Sequence, residues 1–224
     1  MSQDTYAGNP LLKGAYQSLE YDKETIEEFL RCSKDPVHFA RTYMQIIHVD
    51  HGLMPFDLYD YQEEMVQTMH DNRFVICKMP RQTGKSTTIV AYLLHFALFN
   101  PQSNIAILAN KGSTSREILQ RLKTAYEHLP KWLQQGVVVW NRGNIELENG
   151  SKVISASTSS SAVRGSSFNI IFMDEFAHID PPKLAEDFFT SVYPTISSGK
   201  TTKVFIVSTP KGLNMFYKMW IDAE

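Results

Sequence analysis

Only two cysteines, Cys32 and Cys77, occur in the 224 residues, far apart and at no metal-ligand spacing. Two thiols are too few for a disulfide framework, and their wide separation fits no cysteine-based zinc motif. Cys77 lies in an apolar run and reads as a reduced core thiol. Two thiols behind a polar N-terminus without an apolar signal core lead us to expect a reducing, cytoplasmic setting. The seven histidines contain no His-x-x-x-His pair, so no structural zinc is expected. His48, Asp50 and His51 read as solvated loop groups, because nothing nearby supplies the remaining ligands. No apolar run approaches the roughly 20 residues that span a bilayer; the longest, Ile89 to Phe99, contains His95. The chain also lacks a strong charge of either sign. A net charge of −2 does not advertise nucleic-acid binding, although a local basic face remains open. There is no internal repeat and no low-complexity tract.

What is present describes a globular α/β protein. Hydrophobic residues make up 43% and charged residues 21%, enough for a sizeable core in one large domain or a domain with a small appendage. Residues 1–21 read as a flexible lead-in. Asp22 is placed to cap a helix through Lys34, and Asp35-Pro36 reads as an N-cap with proline at N1 for a second helix to about Ile47. A loop over residues 48–58 follows, then a helix from Asp60 to about His70. Apolar strands are expected at 74–77, 104–109, 169–173 and 203–207, of which 104–109 and 203–207 read as buried. The segment 114–129 reads as an amphipathic helix with Arg116, Arg121 and Lys123 on its polar side. Short strands are expected at 137–140, 145–147 and 152–154, with Asn149-Gly150 as a type I′ hairpin turn. Ser155 to Ser161 reads as a loop, 181–192 as a helix and 215–221 as another. Buried strands alternating with helices imply a largely parallel sheet covered on both faces. Ligand sites in such folds lie at the carboxyl ends of the strands.

One stretch organises the rest: Met79-Pro80-Arg81-Gln82-Thr83-Gly84-Lys85-Ser86-Thr87. An apolar strand precedes it and a long apolar helix follows. In that context backbone N–H groups and the helix dipole converge on an anion. Lys85 would reach the β- and γ-phosphates, and the Ser86 hydroxyl would ligate Mg²⁺. The usual pattern has glycine where Met79 stands, so Gly-Lys-Ser alone is weak evidence. An ordinary strand–turn–helix with a surface lysine is the plain alternative.

The other strand ends strengthen the phosphate reading. Apolar residues followed by Asp174-Glu175 form a Walker B pattern. Asp174 would hold Mg²⁺ through water, and Glu175 would orient and deprotonate the attacking water. Arg81, within the loop, and Arg164, in Ala162-Val163-Arg164-Gly165, are candidates to stabilise γ-phosphate charge; Arg164 would act near the nucleotide edge or in a neighbouring subunit. Tyr61-Gln62 could contact an adenine base, by stacking and by a paired amide. Ser208-Thr209-Pro210 could sense the γ-phosphate and relay hydrolysis to a moving element. Each also has a plain structural reading: a loop arginine in a local ion pair, a helix start beside a core aromatic, a simple turn.

In order, Asp60-Tyr61-Gln62, Arg81-Gln82-Thr83-Gly84-Lys85-Ser86-Thr87, Ala162-Val163-Arg164-Gly165, Met173-Asp174-Glu175 and Ser208-Thr209-Pro210 resemble the large terminase subunit of tailed bacteriophages, in particular the T-even-like myoviruses. Segments 107–113, 140–147 and 212–214 resemble the family as well, so the resemblance spans roughly residues 22–224. It implies a P-loop NTPase fold of RecA-like type with N-terminal helices, and a deviant Walker A that lacks the first glycine and carries an arginine, here Arg81. It further implies a Mg²⁺-dependent ATPase that moves double-stranded DNA into a preformed capsid, in the host cytoplasm and transiently at the procapsid portal. Partners implied are the portal ring, the small terminase subunit and further copies of the chain in a ring, with no membrane. The family's lid subdomain and RNase H-like nuclease are expected outside these 224 residues, so no nuclease activity is expected of them. A superfamily-2-like helicase shares Gln, Walker A and Asp-Glu motifs but needs a second RecA-like domain. A non-catalytic module with a vestigial nucleotide site is the alternative from another class.

Overall fold

The computed structural model describes residues 4–48, 50–158, 167–181, 183–190 and 200–223. Two capped helices open the chain. Asp22 accepts a hydrogen bond from Thr25 N at 2.8 Å and starts α1, Lys23–Lys34. Asp35 accepts from His38 N at 2.8 Å and starts α2, Pro36–Tyr43, with proline in the first turn. Helix α2 stops four residues before the expected Ile47, because β1 (Gln45–His48) pairs antiparallel with β2 (Gly52–Pro55). The β-branched pair Ile46-Ile47 suits a strand, and Gly52, at φ 68, supplies the left-handed residue of the turn. The loop expected at 48–58 is therefore half of a hairpin.

Then follow α3 (Asp60–Asp71), β3 (Phe74–Lys78), α4 (Lys85–Phe99), β4 (Asn104–Ala109) and α5 (Gly112–Glu127). Next come β5 (Val137–Trp140), β6 (Asn144–Leu147), β7 (Lys152–Ser157) and β8 (Ile170–Asp174). A helix over 183–190, here α6, precedes β9 (Lys203–Ser208) and α7 (Met215–Ala223). Seven strands form one sheet in the order β3-β9-β8-β4-β7-β6-β5. The first five are parallel; β6 and β5 extend the sheet antiparallel.

Each central strand is buried on both faces, and its side chains alternate between two cores. Ile105, Ile107, Ile170, Phe172, Phe205 and Val207 meet the core built by α2–α5. Ala106, Leu108, Ile171, Met173, Val204 and Ile206 meet the other, with Phe188 and Phe216. Helix α4 is apolar nearly all round and is buried at 11 of its 15 residues, as such a helix must be. It places the start of one helix under the carboxyl ends of β3, β9 and β8.

Three further expectations change. The lead-in expected over 1–21 is docked over residues 4–16: Leu12 is buried, Gly14 bridges to Val137, and Lys13 pairs with Glu148 at 3.1 Å. Glu148 also accepts from the Gly136 backbone N–H. The β6–β7 turn is not type I′, since Gly150 is left-handed at φ 82 but Asn149 is not. Leu147 N donates to Ser151 O and Gly150 N to Leu147 O, a longer turn with a glycine bulge. The Asn149 side chain instead donates to the carbonyl of Ala97 at the end of α4. Strand β7 runs on to Ser157, into the first three residues of the expected Ser/Thr loop, because its ladder with β4 continues to Ala109.

Candidate active site

The phosphate-loop residues form a closed turn between β3 and α4. Met79 N donates to Ser208 O at 3.2 Å, so β3 stays tied to β9 as it leaves the sheet. Thr83 Oγ1 donates to Pro80 O at 3.0 Å across the loop. Gln82 and Gly84 both lie in the left-handed region, at φ 62 and 72. Gly84 then caps α4, and its carbonyl receives Thr88 N at 2.9 Å and the Thr88 hydroxyl at 3.1 Å. Helix α4 therefore begins at the loop, with the unpaired N–H groups of its first turn turned toward it.

Helix α3 holds the loop from outside. Tyr61 donates its hydroxyl to Thr83 O at 2.9 Å, and Gln62 donates its amide to the same carbonyl at 3.1 Å. Gln62 is buried, and its amide oxygen reaches back to accept Tyr59 N at 3.0 Å at the start of α3. The amide that could pair an adenine edge is thus engaged at its acceptor and at one donor within the fold. Tyr59 and Tyr61 stack at 5.6 Å with 10° between their planes, exposed beside the loop. Tyr59 was not legible as a site residue; its signal was an aromatic two positions from Tyr61 at the helix start.

Lys85 is buried, and its Nζ lies 2.9 Å from Glu175 Oε1. Glu175 follows the end of β8 in left-handed backbone, φ 49. Its second oxygen, Oε2, accepts from the Thr209 hydroxyl at 3.1 Å and from Thr209 N at 3.3 Å. Burial alone would raise this carboxyl. Lys85 and the Thr209 donors outweigh that and hold it below the usual glutamate range. Asp174, the last residue of β8, is buried, and burial together with the neighbouring Glu175 charge pushes it up to about 6. Its Oδ1 is buried without a hydrogen-bond partner.

An orphaned carboxylate oxygen beside a lysine and a second carboxylate fits a hard cation held by oxygen ligands. Ser86, in the first turn of α4, is partly exposed and supplies the hydroxyl such an ion would use. Arg81 and Gln82 are exposed on the loop, and Arg81 has no ion pair among the described residues. Thr87 points elsewhere, lining a groove of about 390 Å³ between the β1–β2 hairpin, α4 and α5, with Arg121 on its far side. Arg164 lies outside the described residues.

Ser208 and Thr209 are inside the site. The Ser208 hydroxyl accepts Ala177 N at 3.0 Å and donates to Thr209 O at 2.8 Å. Pro210 follows on the exposed side. His178, one 3-10 turn beyond Glu175, is a residue that sequence reasoning missed. Its Nε2 is 2.8 Å from Thr209 Oγ1. The signal available was its i+3 spacing from Glu175. Of the polar face expected on α5, Lys123 is not solvated. It is buried, donates to Asn141 O and sits 4.9 Å above the Trp140 ring, because β5 packs over that side of the helix.

Residues 76–224 match the family described as terminase large subunit, T4likevirus-type, N-terminal. The chain belongs to this family of large terminases. Its fold is that of terminase ATPase domains. The crystal structure of the HK97 bacteriophage large terminase superposes with a TM-score of 0.71 at 17% identity, over 85% of this chain. The Thermus phage P74-26 large terminase ATPase domain gives 0.61 at 22% identity, over 74% of this chain and 70% of that one. A large terminase from a thermophilic bacteriophage in complex with ADP gives 0.51 at 15% identity, over 69% of this chain. This terminase chain spans 40% of the HK97 protein's length.

Proposed function

We propose that this chain is the Mg²⁺-dependent ATPase of a DNA-packaging motor, with residues 22–224 as its P-loop ATPase domain. One observation carries the reading. The loop lysine, Lys85, is ion-paired across the end of β9 to Glu175 beside Asp174, whose buried oxygen has no partner. In this reading Lys85 leaves Glu175 for the γ-phosphate when nucleotide enters, and Glu175 Oε1 becomes free to take a proton from water. Ser86 and Asp174 would hold the ion, which when bound neutralises phosphate charge. Arg81, on the same loop as Lys85, adds positive charge at the γ-phosphate, and Arg164 is the candidate for a neighbouring subunit's site. The loop backbone of Gln82, Thr83 and Gly84 cradles the phosphates. Gln62 supports that cradle, Thr87 packs behind it, and the Tyr61 face is available to the base. Ser208-Thr209-Pro210 reads the state of Glu175.

Family membership supports the wider role: translocation of double-stranded DNA through a portal ring, with the small subunit as partner, ring assembly, and action in the host cytoplasm. The helicase and vestigial-module readings have no such support. Glu175→Gln is expected to keep Mg-ATP binding and lower hydrolysis by about 100-fold or more, whereas Lys85→Ala weakens binding itself. Titration with a fluorescent nucleotide alongside phosphate release separates the two. Absence of binding at millimolar Mg-ATP would overturn the enzyme reading.

A further inference from the structure

Glu175 has two oxygens, and the fold treats them differently. Oε1 faces Lys85, while Oε2 faces Thr209 and His178. The Thr209 hydroxyl has a single proton, which it donates to Oε2 at 3.1 Å. The 2.8 Å contact between His178 Nε2 and Thr209 Oγ1 must then run the other way, with His178 Nε2–H as donor. Three groups form a directed chain: His178 Nε2–H to Thr209 Oγ1–H to Glu175 Oε2.

The imidazole is held from its own backbone. Asn110, at the end of β4, donates its amide to His178 O at 3.0 Å. His178 N donates to Glu175 O at 2.9 Å, closing the 3-10 turn. One residue earlier, Ala177 is fixed at both backbone groups: its N–H by Ser208 Oγ at 3.0 Å and its carbonyl by Asn214 Nδ2 at 2.8 Å. Asn214 also accepts Tyr217 N at the start of α7. His178 therefore stands where the ends of β4, β8 and β9 meet the start of α7.

We propose that His178 is a positioning residue for hydrolysis: through Thr209 it anchors Oε2 of Glu175, so that Oε1 is the oxygen that takes the proton from water. Without His178 the Thr209 N–H and the Ser208 hydroxyl still reach Oε2 at 3.3 and 3.4 Å, but the Thr209 hydroxyl loses the donor that turns its proton toward Oε2, and the carboxylate is held less firmly on the attacking water. The inference rests on the proposed ATPase reading. Glutamine can donate from its side-chain amide at about the place of Nε2; alanine and phenylalanine cannot.

The expected result for His178→Ala is a kcat about tenfold lower, the scale of one hydrogen bond, with the KM and the binding of a fluorescent Mg-ATP analogue unchanged. His178→Gln restores most of the rate. In a Thr209→Val background His178→Ala costs nothing further, because the link is already cut. A rate unchanged by His178→Ala, a loss confined to nucleotide affinity, or no rescue by Gln in a variant of equal thermal stability would overturn the proposal. A second measurement does not need turnover. Imidazole ¹⁵N spectra should show His178 as the Nε2–H tautomer, and Thr209→Val should shift that resonance. An Nδ1–H tautomer, or no response to Thr209→Val, would overturn it too. A wild-type chain without hydrolysis would overturn the ATPase reading instead, and the spectra would still judge the link.

Discussion

At the scale of single residues, the site concentrates groups that are costly to place. Glu175 is a non-glycine residue at φ 49, and Gln82 another at φ 62, both in the sparsely populated left-handed region. Glu175 stays there because its backbone carbonyl, its Oε1 and its Oε2 are all engaged. Away from the site, His95 is the most demanding residue of the core. Buried in α4, it donates Nε2–H to Cys32 O at 2.8 Å, while its Nδ1 has no partner. Burial lowers its pKa from 6.5 to about 4. The unfolded chain therefore binds the extra proton first. Stability from this residue is complete above pH 6.5, falls as pH drops toward 4, and is level below that. The whole effect is on the order of 3 kcal/mol. Urea unfolding followed across that window should show the slope, and His95→Gln should flatten it. An identical slope in the variant would assign the pH dependence to other groups.

Among the elements, the 79–87 loop depends on α3 as much as on its own residues. A Cβ at Gly84 would lie 2.5 Å from Gln62 Nε2, in backbone at φ +72 that L side chains rarely adopt. Gly84→Ala must therefore move the amide that supports Thr83 and strain the helix cap together. The expected outcome is a nucleotide affinity at least about tenfold weaker, at a cost of roughly 1–2 kcal/mol in the loop, with far-UV circular dichroism unchanged. Preserved affinity would mean that the loop tolerates displacement of Gln62. The capped helices α1 and α2, the apolar α4 and the strands β3, β4, β8 and β9 were legible because cap chemistry and apolar runs are local signals. The β1–β2 hairpin was not. Ile46 and Ile47 fit a continued helical period, and only pairing with Leu53 and Met54 selects the strand. Asn149 was misread for a related reason: its side chain has a better use on the carbonyls of α4 than in a two-residue turn.

Over the whole molecule, one face of the sheet carries the helices that support the loop, and the strand ends gather the chemistry at one rim. Arg81 already sits at that rim, on the loop itself. If Arg164 completes a neighbour's site, mixing Arg164→Ala protein with Glu175→Gln protein should restore part of the ATPase activity that each lacks alone. One of the two kinds of mixed interface pairs the intact base of an Arg164→Ala subunit with the intact arginine of a Glu175→Gln neighbour. No restoration at any ratio would leave Arg81 as the cation that serves the γ-phosphate. Strand order matters here too. Chain order brings β8 and β9 long after β3, but the sheet inserts β9 between β3 and β8, so Ser208 lies between the loop and the Asp174-Glu175 pair.

By itself the sequence determined the fold class and singled out the 79–87 loop, the Asp174-Glu175 pair and the Ser208-Thr209 strand end as the candidate site. Each is written in a few consecutive residues whose local periodicity and chemistry are self-contained. Only the tertiary structure decided what those residues do to one another. It turned Gln62 inward as a support for the loop, left Asp174 Oδ1 without a partner, divided the two oxygens of Glu175 between Lys85 and Thr209, and brought His178 against Thr209. Those outcomes depend on contacts between strands about 30 to more than 100 residues apart, which burial and register select and no local pattern encodes.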